Sequence, residues 1–176
     1  VGQLRAKRYI PFLYWAVILA TSTAGTTTSD FMNRTLGLGY ATGSAILLST
    51  LVGVLVVWRL TEKTLSVTDV RSFRAEVFYW SAILVSNTLG TSLGDYLADD
   101  SRLGFAGGAS LIGGVIALIV AIYLVAKRMK VSSPALYVGL FWAAFVLTRP
   151  FGATMGDVLT KTPAQGGLGF GTIGSS

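Results

Sequence analysis

Three aspartates recur at one position of a repeated sequence pattern, and they are the residues best suited to chemistry. Asp30, Asp95 and Asp157 each lie fifteen residues after a tryptophan, at the ends of the segments GTTTSD, GTSLGD and GATMGD. Carboxylate and hydroxyl oxygens are hard ligands that suit Mg²⁺, Mn²⁺, Ca²⁺ or Na⁺. The pattern predicts a cation pathway lined by the aspartates, and no cofactor beyond a bound divalent cation. The hydroxyl side chains expected as secondary ligands are Thr26, Thr91 and Thr154.

A structural interpretation of the same segments stays open beside the ion-site interpretation. A helix from Trp15 to Asp30 rises about 22 Å, which carries the aspartate close to the opposite membrane interface. There an aspartate can cap a short helix or shape a turn. The neighbouring glycines and threonines then serve as small residues that let membrane helices pack closely.

Arg149 lies inside an apolar segment, at the position where the first two copies of the pattern have Ser22 and Asn87. A charged side chain within a membrane span is expensive and indicates a functional role. Pairing with Asp157 or another of the three aspartates would make Arg149 an internal counter-ion, and an anion site is the alternative. Asp99 and Asp100 are interpreted as solvated residues of an external loop.

The composition excludes several classes of function. Hydrophobic residues make up 52% of the 176 residues and charged residues only 12%, against about 25% charged in a typical soluble domain. The chain has no cysteine and no histidine, which excludes disulfides, thiolate or imidazole metal sites, and Ser-His-Asp or Cys-His catalysis. We therefore expect a membrane protein that is not an enzyme. The net charge of +6 does not indicate a nucleic-acid partner, because no basic helix or aromatic platform accompanies it.

Five apolar stretches approach the roughly 20 residues that cross a bilayer as a helix. They cover residues 9–28, 36–58, 77–93, 103–125 and 135–155, and a sixth begins near Gly167 and is cut off. The sequence is interpreted as a piece of a longer protein. Basic residues concentrate in segments 5–8, 59–74 and 127–130, on one side of the membrane if the spans alternate. The positive-inside rule makes that side cytoplasmic.

The stretches form an internal repeat. The aromatic pairs 14–15, 79–80 and 141–142 are each followed ten residues after the tryptophan by a glycine, and five residues later by the aspartate. A second motif, Leu-Gly followed by Tyr or Phe, comes next; its glycine lies 9 residues after the aspartate in the first two copies and 12 in the third. The predicted units are residues 1–64, 65–130 and 131–176, the third truncated. Each unit is a two-helix hairpin, so the units are parallel and related by an axis along the membrane normal. The expected fold is an all-α polytopic membrane helix bundle.

The sequence resembles the bacterial "repeat of unknown function" family of multi-pass, membrane-anchored proteins. The resemblance is carried by the tryptophan, the G-T-x-x-x-D segment and the following L-G-[YF]. Chains of that family carry about four such units. The resemblance implies that the first unit and the last helix are absent here, and that the protein lies in the bacterial inner membrane. It implies architecture and almost no chemistry.

Two classes of function follow. The first is a transporter or channel for a small inorganic cation, which requires the aspartates to converge at a water-accessible depth. The second is a non-catalytic subunit that packs within a larger membrane complex. Besides the lipid bilayer, the expected partners are other membrane subunits or further copies of the chain.

Overall fold

The protein is mainly helical, with no strand, in the part of the chain that the structure describes, which comprises residues 10–63, 65, 67 and 72–171. The structure is a computed structural model, and it confirms the all-α helical bundle predicted from the sequence. Two of the helices begin with proline, a residue favoured in the first helical turn, where no backbone N–H is needed. The five long helices are α1 (Pro11–Asp30), α2 (Tyr40–Glu62), α3 (Phe73–Asp95), α4 (Gly104–Arg128) and α5 (Pro134–Thr160).

The first two repeats leave their first helix through the same widened turn. Asp30 and Asp95 are the last α-helical residues of α1 and α3, and the π-helical turns Phe31–Thr35 and Tyr96–Asp100 follow them. Hydrogen bonds of 2.9 Å from the Leu36 and Ser101 backbone N–H groups close the two turns. The third repeat differs, because α5 continues past Asp157 to Thr160. π-helical turns are rare and occur frequently at functional sites.

The glycine of the Leu-Gly motif has a positive φ angle in all three repeats. Gly39 and Gly104, at the starts of α2 and α4, have φ angles of 74° and 68°, and Gly169 in the third unit has 74°. Glycine adopts this conformation without the steric penalty of a Cβ atom. The three extra residues of the third unit coincide with a short 3₁₀-helix, Pro163–Gln165.

Among the described residues, three helices, α2, α4 and α5, are long and apolar enough to cross a membrane. No more than 28% of the most apolar window of any of them is buried inside the protein, so their apolar side chains face outwards, as lipid contact requires. Helices α1 and α3 have spanning lengths of 20 and 23 residues. Their second halves are rich in serine, threonine and glycine, which lowers their hydropathy, and their role as spans stays a prediction.

The sidedness of the membrane and the boundaries of the three repeat units also stay predictions. Several of the residues concerned lie outside the described part of the chain. They are the basic residues Arg5, Lys7, Arg8 and Arg71, and the residues 172–176 of the sixth stretch.

The chain forms two compact units, Val1–Leu89 and Gly90–Ser176, whose boundary falls inside α3. In the first unit, Leu47, Leu51 and Trp58 give α2 one buried face. In the second, Ile112 of α4 and Trp142 of α5 are buried. The division falls within a helix because α3 contacts α1 near Asn87 and α5 near Gly90.

Candidate functional site

In the first compact unit, Val1–Leu89, Asp30 is paired with a basic residue one turn further along the chain. Arg34 Nε lies 3.4 Å from Asp30 Oδ1, and the two side chains are 62% and 44% exposed. Arg34 Nε also donates a 2.8 Å hydrogen bond to the Tyr40 hydroxyl, which fixes the guanidinium beside the start of α2. The negative charge of Asp30 is therefore balanced locally, at a position that water reaches.

In the second compact unit, Gly90–Ser176, Asp157 has both a basic and an acidic neighbour. Lys161 Nζ lies 4.0 Å from Asp157 Oδ1, with side chains 43% and 31% exposed. The same ammonium group lies 6.0 Å from the centre of the Phe105 ring, at the start of α4. Asp99 lies close enough for its carboxylate to repel that of Asp157. Asp157 therefore has one basic partner and one like-charged neighbour.

The position four residues after each aspartate sets the electrostatic difference between the repeats. It is occupied by Arg34, Asp99 and Lys161. Asp95 is therefore followed by a second acid where the other two aspartates are followed by a base. Asp99 is exposed, as expected of a solvated residue, and the repeat register is the signal that relates it to Arg34 and Lys161.

The predicted helix-cap role is wrong for Asp30 and Asp95. Neither side chain makes a cap hydrogen bond to the π-helical turn that follows it. The backbone is helical at both residues, with φ near −61° and −63°, whereas a capping residue normally leaves the helical region. The chain passes from α-helix to π-helix without a break, so no new helix start exists there for a carboxylate to cap.

The three threonines predicted as secondary ligands lie in different environments. Thr26 is exposed and Thr91 is half-buried, on the turns that precede Asp30 and Asp95. Thr154 is 1% exposed, and its hydroxyl donates to the carbonyl oxygens of its own helix at Pro150 (3.0 Å) and Phe151 (3.2 Å). Its place is therefore a helix contact, and the metal-binding role of all three threonines stays a prediction.

Arg149 lies half-buried in α5, with its guanidinium carbon 4.9 Å from the centre of the Phe145 ring. Its Nε atom is buried without a hydrogen-bond partner among the described residues. In the same unit Asp157 pairs with Lys161. The counter-ion role of Arg149 stays a prediction, and the cation–π contact with Phe145 is the interaction that the structure shows.

The aspartates do not form a preformed metal cage. Within the described residues, no group of three or more His, Cys, Asp or Glu side chains is arranged to hold a metal ion. What the second unit does bring together is an excess of carboxylates. The two chain segments that meet there contain four acidic and two basic residues: Asp95, Asp99, Asp100 and Asp157, against Arg102 and Lys161.

Comparison with known proteins identifies the repeat. The family model described as Repeat of Unknown Function (DUF347) matches residues 13–64, 78–129 and 140–176. No curated protein and no solved structure matches the chain. The three matched segments cover most of the sequence and each contains the aromatic pair that ends in tryptophan, one aspartate segment and one Leu-Gly motif, so the chain belongs to the Repeat of Unknown Function family.

Proposed function

We propose that this membrane protein transports a small inorganic cation, and that the acidic end of the second unit attracts it. The observation that carries the proposal is the unequal charge balance of the aspartate turns. Asp30 is matched by Arg34, whereas Asp157 has the carboxylate of Asp99 as a like-charged neighbour in addition to Lys161. An uncompensated negative charge beside a water-accessible helix end raises the local concentration of cations.

A weak site suits transport better than a cage does. An ion must bind strongly enough to enter and weakly enough to leave, and rings of acidic side chains select cations in this way. Asp99 and Asp157 offer carboxylates to a cation that keeps most of its water, and Asp95 adds a third acid one turn before Asp99. A divalent ion gains twice the Coulomb energy of a monovalent ion in the same field, which favours Mg²⁺, Mn²⁺ or Ca²⁺ over Na⁺.

We also propose which membrane contains the protein and that the protein is not an enzyme. The protein lies in the bacterial inner membrane with its basic segments in the cytoplasm, as the positive-inside rule indicates. It acts without covalent chemistry on a substrate. The aspartate turns then face the opposite side, where a cation arrives from outside the cell.

The test is ion flux into liposomes that contain the purified full-length protein and an ion-sensitive dye. Mg²⁺, Mn²⁺, Ca²⁺ and Na⁺ are offered in turn. We expect saturable flux of a divalent ion that falls at least tenfold in Asp157→Asn and Asp99→Asn. Asp30→Asn is the matched control, because it removes a carboxylate from the equivalent repeat position that already has its own arginine. Absence of flux, or equal loss in all three variants while they insert and fold normally, contradicts the proposal.

A second candidate function is a non-catalytic subunit of a membrane complex. The observation that favours it is the face of α5 around Gly152 and Gly156, where no described residue of another element lies within 4 Å of the position that a Cβ would occupy. Small residues on an open helix face are typical of contacts between membrane helices. Co-purification of the protein with a stoichiometric partner, together with absent ion flux, would favour this function.

A further inference from the structure

An apolar groove lies along the last three turns of α2, at the end of the helix that carries basic residues. It has a volume of about 250 Å³, and the residues that line it are Val52, Leu55, Val56, Arg59, Leu60 and Leu65. Arg59 is the only one of the six with a charge. Val52, Val56 and Leu60 are 51%, 50% and 73% exposed, so the groove opens outwards from a helix that is long and apolar enough to cross a membrane.

One short stretch of chain builds the whole groove. Helix α2 ends at Glu62, and Lys63 has a left-handed backbone with a φ angle of 57°. The chain turns there, and Leu65 comes to lie beside α2 as one wall of the groove. The Arg59 guanidinium donates a hydrogen bond to the Lys63 carbonyl oxygen, which holds the cation at the turn. Because all of these residues lie close together in the sequence of the first compact unit, the shape of the groove does not depend on any other repeat.

The charges beside the groove oppose its coverage by another repeat. Arg59 and Lys63 outweigh Glu62 and give this end of α2 a net positive charge. The repeats are parallel, so a further repeat packed on α2 would place its own helix end at the same depth, whether it belonged to this chain or to a second copy. The corresponding end of α4 shows what such a repeat carries, since segment 127–130 has three basic residues and no acid. Like charges would then meet where the dielectric constant is low, which is unfavourable.

The size of the groove also suits a hydrocarbon chain better than a helix. Helix α2 rises about 12 Å from Val52 to Leu60, and a second helix of that length, about 10 Å across, occupies several times the volume of the groove. A packed helix would therefore insert only separate side chains. A single hydrocarbon chain lies along the apolar side chains for the full length of the groove and brings no backbone with it.

We infer that the groove binds an anionic phospholipid, with one acyl chain along Val52, Val56 and Leu60 and the phosphate beside Arg59. A guanidinium suits a phosphate because its planar fork of N–H donors bonds two phosphate oxygens at once. Arg59 has five such donors, and its bond to Lys63 uses one of them. The occupant thus meets both the apolar wall and the positive charge of the site. The inference is independent of cation transport, since none of these residues belongs to the acidic end of the second unit.

Fluorescence quenching by brominated lipid tests the site directly, because the sequence contains no cysteine to compete for a label. A fluorophore is attached to Val56→Cys, inside the groove, or to Val57→Cys, which is not among the residues that line it. The two positions are matched, since they are adjacent in α2 and are 50% and 47% exposed. The full-length protein is placed in phosphatidylcholine vesicles that contain a minor fraction of phosphatidylglycerol, and the acyl chains of one lipid or the other are brominated.

Brominated phosphatidylglycerol should quench the label at residue 56 several times more strongly than the label at residue 57, whereas brominated phosphatidylcholine should show no such preference. Arg59→Gln should lower the preference for phosphatidylglycerol about fivefold, since one basic residue at the membrane surface contributes about 1 kcal/mol to the attraction of anionic lipid. Arg59→Lys keeps the charge and should retain most of the preference. In the unlabelled protein in detergent, phosphatidylglycerol should raise the melting temperature of the wild type and of Arg59→Lys more than that of Arg59→Gln.

Three outcomes overturn the inference. Equal quenching of the two labels by brominated phosphatidylglycerol means that the groove contacts only the general lipid of the bilayer. The absence of quenching at residue 56 by either lipid means that protein covers the groove. A preference or a melting shift that is the same in Arg59→Gln and the wild type means that the phosphate does not bind beside Arg59.

Discussion

Replacement of Gly90 by alanine should destabilise the protein, whereas the same replacement at the equivalent Gly152 should not. A Cβ on Gly90 would overlap Arg149 Cβ and lie 3.1 Å from Arg149 C and 3.2 Å from Pro150 N. Two of these three atoms belong to the backbone of α5 and cannot rotate away. At Gly152 no atom lies within 4 Å of the same position.

The magnitude follows from the distance the helices must move. Non-bonded carbon atoms are most stable about 3.5–4.0 Å apart, so α3 and α5 must separate by roughly half an ångström or more to admit the methyl group. Overpacking of this kind costs about 1–3 kcal/mol. At Gly152 the substitution instead gains about 0.5–1 kcal/mol, because alanine has less backbone entropy to lose in a helix than glycine. The two variants should therefore differ by about 1.5–4 kcal/mol.

The assay is thermal unfolding of the monomer fraction in detergent, followed by the fluorescence of the four tryptophans. We expect Gly90→Ala to unfold about 5 °C or more below Gly152→Ala, by the usual relation between free energy and melting temperature. Gly25→Ala should fall with Gly90→Ala, because its Cβ would lie 2.8 Å from Asn87 Cβ. Equal melting temperatures for Gly90→Ala and Gly152→Ala would refute the close contact between α3 and α5.

Three further substitutions separate structural from functional roles. Arg149→Met should keep the free energy of unfolding or raise it by up to about 1 kcal/mol, because it replaces a charged side chain whose Nε is buried without a hydrogen-bond partner among the described residues. A clear loss of stability in the same fluorescence assay would reveal a partner that holds the guanidinium. Thr154→Val should change the free energy of unfolding by no more than about 1 kcal/mol, the net value of one hydrogen bond. It should leave ion flux intact, because the Thr154 hydroxyl already bonds to its own helix. Loss of flux in a folded variant would make Thr154 a ligand. Gly39→Ala should lower the free energy of unfolding by about 1 kcal/mol, because the φ angle of 74° is left-handed. Clashes should add nothing, since no described residue outside the immediate chain neighbours lies within 4 Å of the new Cβ. An unchanged melting temperature would contradict this reasoning.

The sequence repeat was sufficient to predict the helices, but not the π-helical turns that follow Asp30 and Asp95. Apolar stretches of spanning length appear as helices, and the glycine of the Leu-Gly motif adopts the left-handed backbone in all three units. The helix ends were less predictable. We expected α3 to begin at residue 77, but it begins at Phe73, because the amphipathic turn that precedes the apolar stretch is also helical.

The partners of the repeated residues could not be read from the repeat alone. The register marked Gly25, Gly90 and Gly152 as equivalent, but only the packing shows that two of them touch another helix and the third does not. The hydroxyl of Thr154 resembled a ligand in the sequence, and in the structure it bonds to the carbonyls of α5. The repeat register gives the unequal charges that follow the three aspartates, but only the structure shows that Asp99 of the second repeat acts on Asp157 of the third.

Binding of Mn²⁺ to the purified protein, measured by the loss of the free-ion electron paramagnetic resonance signal, tests the central proposal most directly. The wild-type protein should bind the ion saturably, Asp157→Asn should lose that binding, and Asp30→Asn should retain it, because the charge of Asp30 is balanced by Arg34. Equal binding by the wild-type and Asp157→Asn proteins, or no saturable binding by the wild-type protein, would contradict a cation site at the acidic end of the second unit.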